Sequence, residues 1–256
     1  MALLELRGVT RTFSGVVAVN AVDATLEAGE ILGVIGPNGA GKTTLFNLIS
    51  GFDRPQSGHI LLGGHDITGL PMVQVARRGL VRTFQRSLPF ESMSVLENVL
   101  VAGYAFEASG PRHFARRWLG INNDETASRA HAHELLELAG LGTRANSMAG
   151  ALPQGDRRRL EIARALMCRP RILLVDEPAA GLYGQEVEML TALLKRLRAQ
   201  GQAVVIIEHD LAMIMGMCDR IIVLDHGVKI AEGAPAEIQH NEAVIAAYIG
   251  RAKENA

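Results

Sequence analysis

Gly36-Pro37-Asn38-Gly39-Ala40-Gly41-Lys42-Thr43 has the form Gly, four residues, Gly-Lys-Thr. A curl of this kind turns successive backbone N–H groups toward one point, and its glycines let phosphate oxygens approach the main chain closely. The apolar burst Ile31–Ile35 ahead of it predicts a buried strand. Residues 44–49 after it predict a helix that starts near Gly41 and closes at Gly51. Strand, curl and helix N-terminus make an anion site, with Lys42 as a point charge for the β- and γ-phosphates and the Thr43 hydroxyl as a Mg²⁺ ligand. Gly36, Pro37, Asn38, Gly39, Ala40, Gly41, Lys42, Thr43 and Thr44 are therefore the candidate phosphate-binding residues. By itself this pattern leaves kinase, GTPase and transport ATPase open.

Ile172-Leu173-Leu174-Val175-Asp176-Glu177 supplies the second half of the site. Four apolar residues predict a central strand, and a carboxylate at its carboxyl end reaches the crevice where open α/β sheets bind ligands. Asp176 is placed to join the Mg²⁺ shell. Glu177, one residue on, is placed to orient or deprotonate an attacking water.

Outward from these motifs the pattern is mixed. Residues 3–71 show short apolar bursts between Gly, Asp and Asn, which predicts strands joined by tight turns around one helix. Helical spacing takes over at about residue 89: Ser94 with Glu97 forms a capping-box pattern, and a second helix is predicted over 124–139, closed by Gly140. Residues 103–123, with Gly110-Pro111, Arg112, Arg116, Arg117 and Trp118, read as an insertion. Further on come a helix over 186–198 with Val187, Leu190, Leu194 and Leu197 on one face, a strand at Ala203–Ile207, and a hairpin turning at Asp225-His226-Gly227. Strand, helix, strand implies parallel pairing, so the fold class is α/β with a helical insertion.

Composition narrows the function. Lys plus Arg total 26 against 27 Asp plus Glu, so no overall positive field draws nucleic acid. The run Arg157-Arg158-Arg159 opens a helix and reads as solvated or paired. No apolar stretch approaches the roughly 20 residues that span a bilayer. The first seven residues lack the basic start of an export signal, so a cytosolic chain, soluble when isolated, is expected. Cys168 and Cys218 have no metal-ligand spacing and read as reduced packing residues, as do Met213 and Met217. His131 and His133 lie two apart on a helix and face different ways.

With both halves of the phosphate site in view, the chain resembles the ATP-binding-cassette ATPases over nearly its whole length. The resemblance implies a P-loop fold with a RecA-like core and an antiparallel β subdomain, residues 1–88 and 165–256, and a helical subdomain, residues 89–164. It implies ATP and Mg²⁺ as cofactors. It makes Gln85 in Arg82-Thr83-Phe84-Gln85 a contact for metal and water, and His209 in Ile207-Glu208-His209-Asp210 a contact for the γ-phosphate. Glu177, His209 and Gln85 become the catalytic set, and Thr43, Gln85 and Asp176 the metal set. Phe13 takes the family's adenine-stacking place, where an aromatic ring also serves packing. Such ATPases work as head-to-tail dimers, with Leu152 and Gly155 of the signature stretch facing the partner's nucleotide.

That signature is where the family pattern breaks. In place of Leu-Ser-Gly-Gly-Gln stands Leu152-Pro153-Gln154-Gly155-Asp156, followed by a helix expected over 157–168. Pro153 lacks both a hydroxyl and an N–H, and Asp156 is expected to put a negative charge near the partner's nucleotide. Tyr183 takes a position that is often Asp or Asn in the family. Several stretches resemble the larger ATP-binding subunit of branched-chain amino acid importers: Arg82-Thr83-Phe84-Gln85, Ser94-Val95-Leu96-Glu97-Asn98-Val99-Leu100-Val101, Glu177-Pro178-Ala179-Ala180-Gly181-Leu182 and Gly233-Ala234-Pro235-Ala236-Glu237-Ile238. That implies a second ATPase subunit, alike or different, two membrane permeases, an external solute-binding protein, and a peripheral place on the cytoplasmic face of the inner membrane. A regulatory subunit that binds ATP without turnover, or a soluble ATPase outside transport, are the other readings.

Overall fold

The computed structural model describes residues 2–83, 89–108 and 125–252. The chain divides into two compact units, one formed by residues 1–82, 171–178 and 197–256, the other by residues 83–170 and 179–196.

The first unit carries two sheets. In the antiparallel sheet the order is β2 (Val16–Leu26), β1 (Leu4–Phe13), β4 (Ser57–Leu62), β5 (His65–Asp66). The larger sheet runs β10 (Val228–Gly233), β9 (Arg220–Asp225), β3 (Ile31–Ile35), β8 (Ala203–Ile207), β7 (Ile172–Asp176), β6 (Leu80–Arg82). All neighbours in it pair in parallel except β10, which returns antiparallel from β9. Every residue of β3, β7 and β8 is buried, as expected of parallel strands covered on both faces. The turn between β9 and β10 is His226-Gly227 with φ of 45° and 81°, the mirror-image turn that matches strand twist.

Register matters most for function. Val34 of β3 and Asp176 of β7 both stand opposite Ile207 of β8, so three strands end at one level. The phosphate loop, Glu177 and His209 consequently leave the sheet along a single edge. Helix α1 (Lys42–Ile49) follows the loop, burying Leu45, Phe46, Leu48 and Ile49 in the core. Each such side chain contributes about 1.5–3 kcal/mol of apolar burial. Gly51 closes the helix at φ 72°, where a Cβ would lie 2.3 Å from the Leu70 carbonyl oxygen. A short helix α2 (Met72–Arg77) precedes β6.

The second unit is helical: α3 (Val95–Ala108), α4 (Glu125–Leu138) and α5 (Gln154–Leu166) pack on one another, and α6 (Gln185–Ala199) begins here. The capping box is present in both directions, Ser94 N to Glu97 Oε2 at 2.7 Å and Glu97 N to Ser94 Oγ at 3.1 Å. Residues 103–108, expected in the insertion, instead continue α3, and Gly103 packs on Met167. Trp118 and Arg112, Arg116 and Arg117 lie outside the described residues. On α6, Leu190 and Leu194 are buried as expected, together with Leu193. After β8, helix α7 (Leu211–Met217) buries Met213 and Met217, and α8 (Pro235–Gln239) and α9 (Glu242–Ala252) complete the first unit. Burial raises the Cys218 thiol to about 12 and that of half-buried Cys168 to about 11, so both stay protonated at neutral pH.

Candidate nucleotide site

The loop from Gly36 to Gly41 is held from several sides. Gly36 (φ 150°) passes so close to β9 that a Cβ would lie 2.1 Å from the Leu224 carbonyl oxygen. Gly41 (φ 100°) packs against β2, where a Cβ would meet the Ala18 carbonyl oxygen at 2.2 Å. Ala40 N–H donates to Pro37 O at 3.2 Å, and Ala40 O accepts from Gly227 N at 3.0 Å. No larger residue fits at Gly36 or Gly41 while the loop keeps this path.

Lys42 is buried, and its ammonium donates to the carbonyls of Gly36 at 2.7 Å and Pro37 at 3.0 Å. Thr43 is exposed at the start of α1. Residues 38–44, with Ala18, Glu177 and His209, line a cavity of about 210 Å³. That is smaller than the roughly 300–1,000 Å³ typical of whole-ligand pockets, and suits the triphosphate tail of a nucleotide.

Glu177 takes φ 45° directly after β7, with its N–H on Ile207 O at 2.9 Å. Such a conformation in a non-glycine residue costs on the order of 1–3 kcal/mol and concentrates at functional sites. Its Oε1 lies 2.8 Å from His209 Nε2. His209 is set by its neighbours: its N–H donates to the buried Glu208 carboxylate at 2.8 Å, and Asp210 caps α7 by accepting from Met213 N at 3.0 Å. The two residues singled out as base and γ-phosphate contact are thus joined at one wall of the cavity. Glu208 was not singled out in the sequence.

Asp176 is buried at the end of β7, where its Oδ2 accepts from Arg82 Nη2 at 2.7 Å. Thr43 and Asp176 carry hard oxygen donors of the kind that suit Mg²⁺. Gln85 lies outside the described residues. Phe13, at the end of β1, is 43% exposed, with the Arg11 guanidinium 4.6 Å from its ring centroid and Arg11 paired to Asp53 at 2.9 Å. One contact had no sequence signal at all. Tyr248 of α9 places its hydroxyl against the Gly36 backbone, and burial raises the hydroxyl's pKa while that hydrogen bond lowers it.

The signature stretch belongs to the second unit. Helix α5 starts at Gln154 rather than Arg157, because Pro153 (φ −56°, ψ 161°) serves as its N-cap and needs only its carbonyl, which accepts from Arg157 N at 3.0 Å. Leu152 is buried, with its carbonyl on Arg157 Nε at 2.9 Å. The Gly155 N–H donates to Glu186 Oε1 at 3.1 Å. Asp156 corrects the charge expectation. It points inward, where Arg159 Nη2 donates to its Oδ1 and Arg144 Nε stands 3.1 Å from its Oδ2. Its charge is therefore compensated inside the unit. All three arginines of the run are engaged: Arg157 on Leu152 and Gly150 carbonyls, Arg158 on Glu161, Arg159 on Asp156. Tyr183 is 81% exposed.

Asp156→Asn leaves Arg144 and Arg159 without their anion, and is expected to lower unfolding free energy by about 2 kcal/mol, read as a reduced urea midpoint. An unchanged midpoint would mean that the pairing contributes nothing to stability.

A family model described as "ABC transporter" matches residues 19–180, and one described as "Branched-chain amino acid ATP-binding cassette transporter" matches residues 228–254. The chain is 43% identical over 258 residues to the high-affinity branched-chain amino acid transport ATP-binding protein BraF of Pseudomonas aeruginosa, covering 98% of each chain. It is 43% identical over 251 residues to the corresponding protein LivG of Escherichia coli, again covering 98% of each. Among solved structures, the ADP conformation of an ATP-binding cassette of an ABC transporter superposes with a TM-score of 0.86 at 31% identity, covering 98% of this chain and 99% of that one.

Proposed function

The chain belongs to the ABC transporter ATPases, and from that membership we propose that it is the ATP-hydrolysing subunit of an importer for branched-chain amino acids or related small polar solutes. The observation that carries the reading is the convergence of Lys42, Glu177 and His209 on one phosphate-sized cavity at the carboxyl edge of a parallel sheet. Near full-length likeness to two branched-chain amino acid transport ATP-binding proteins supports the solute class.

In this mechanism the loop amides and Lys42 bind the β- and γ-phosphates, and Phe13 offers a face to the adenine. Thr43, Asp176 and Gln85 would hold Mg²⁺, which would supply neutralisation of the phosphate charge. Glu177 accepts the proton of the attacking water, while His209, hydrogen-bonded to it, keeps that carboxylate in place and faces the γ-phosphate. Hydrolysis is proposed to follow closure of a dimer in which Leu152 and Gly155 of one subunit meet the nucleotide of the other. With a different second subunit that carries an intact signature, the Glu186 carboxylate on the Gly155 N–H and the missing hydroxyl at Pro153 support unequal strength of the two sites.

The partners in this reading are a second ATPase subunit, alike or different, two permeases and, across the membrane, a solute-binding protein. Nucleic acid has no part in it. Among the described residues no helix is long and apolar enough to cross a membrane, so attachment to the cytoplasmic face would run through the permeases.

Phosphate release from the purified full chain, alone and combined with its permeases in vesicles, tests the activity. Release is expected to require Glu177 and to rise when leucine, isoleucine or valine with the binding protein is supplied on the outer side. Release indifferent to Glu177 would sink the assignment of the base; release that no such solute stimulates would sink the solute class.

A further inference from the structure

Arg82 is the last residue of β6 and pairs in register with Leu174 of β7, two residues before Asp176. Its guanidinium is almost fully buried and spreads over two elements. Nη2 donates to Asp176 Oδ2 at 2.7 Å, with the two side chains 7% and 6% exposed. Nη1 donates to Asn47 Oδ1 at 2.7 Å and to Ser50 Oγ at 3.3 Å, both on the α1 side. The guanidinium carbon also lies 5.7 Å from the centroid of the Phe46 ring. Helix α1 opens with Lys42 and Thr43, and β7 ends with Asp176, so one planar cation ties the phosphate-loop helix to the acidic strand.

A buried Arg–Asp pair is weak evidence for stability, because desolvating both ions offsets much of their attraction. Its geometry is more informative. A fork with one arm on Asn47 and the other on Asp176 restrains the carboxylate's rotation through its Oδ2. Partners that orient a metal ligand are worth about ten- to hundredfold in metal affinity.

We propose that Arg82 is a positioning residue for magnesium: by tying Asp176 Oδ2 to Asn47 of α1 it holds the Asp176 carboxylate in one orientation for the ion. The inference rests on the proposed role of Asp176 as a metal ligand. Lysine cannot replace the fork, since an ammonium is a point charge on a flexible stem and does not span Asn47 and Asp176 with fixed geometry.

The test is a Mg²⁺ titration of nucleotide binding to the purified full chain, using a fluorescent ATP analogue, with a parallel measurement in EDTA. In Arg82→Met the metal-free affinity is expected to stay within about twofold of the parent, since Lys42 and the loop amides are untouched, while the half-saturating Mg²⁺ rises roughly tenfold. Arg82→Lys is expected to behave like Arg82→Met, and in an Asp176→Asn background Arg82→Met should add no further shift. Asn47→Ala, which removes one anchor and leaves the ion pair, is expected to give a smaller rise of the same sign and carries the test should Arg82→Met fail to fold. A Mg²⁺ titration unchanged by Arg82→Met or by Asn47→Ala alone, or fully restored by lysine, overturns the positioning role while Asp176→Asn still shifts the curve. If Asp176→Asn itself leaves the curve unchanged, the metal role of Asp176 falls, and this inference with it.

Discussion

Glu177→Gln is expected to lower phosphate release by about a hundred- to ten-thousandfold, the range that removal of a positioned general base produces. The substitution keeps the shape and the possibility of a hydrogen bond to His209 Nε2, now 2.8 Å away, while removing the proton-accepting charge. Binding should survive, because the groups that grip phosphate are the loop amides and Lys42. The diagnostic result is therefore a split: nucleotide affinity close to the parent, with single-turnover release all but lost. If affinity and turnover fall together, Glu177 supports the loop and does not serve as the base.

Lys42→Met produces the opposite split. The ammonium sits in a buried position with two carbonyl acceptors from the same loop, so it faces the cavity already aligned. Losing a charged hydrogen-bond donor costs about 2–3 kcal/mol, or roughly 30- to 150-fold in nucleotide affinity. Calorimetry with Mg·ATP reads this directly. An affinity that ignores the substitution would remove the basis for calling this cavity a triphosphate site.

Much of the architecture was legible because its signals are local. The Gly36 to Thr43 curl, the acidic end of β7, the Ser94–Glu97 box and the His226-Gly227 turn each declare themselves within a few residues, and all appear where the chain places them. Local signals fail when the partner is distant in sequence. Asp156 looked like an exposed charge because nothing nearby announces that Arg144, twelve residues earlier, folds onto it beside Arg159. The tie from Arg82 to Asp176 spans 94 positions, and Tyr248 reaches Gly36 across almost the whole chain. The misplaced start of α5 has another cause: Pro153 reads as a helix breaker, yet immediately before a helix its missing N–H costs nothing. Residues 103–108 were lost to the insertion because Gly103 weakens the helical signal, while its packing against Met167 supplies the reason for a glycine there.

Lys42 also bears on the stability of the fold. The Lys42 ammonium is buried and donates to two carbonyl oxygens of its own loop, and taking a cation out of water costs free energy that contact with phosphate helps to offset. The same side chain that gives the site its grip thus carries a cost to the fold, a trade between durability and work that many enzymes carry in their working residues. Nucleotide should accordingly act as a folding cofactor for this subunit, and heat resistance should climb with its concentration as mass action requires.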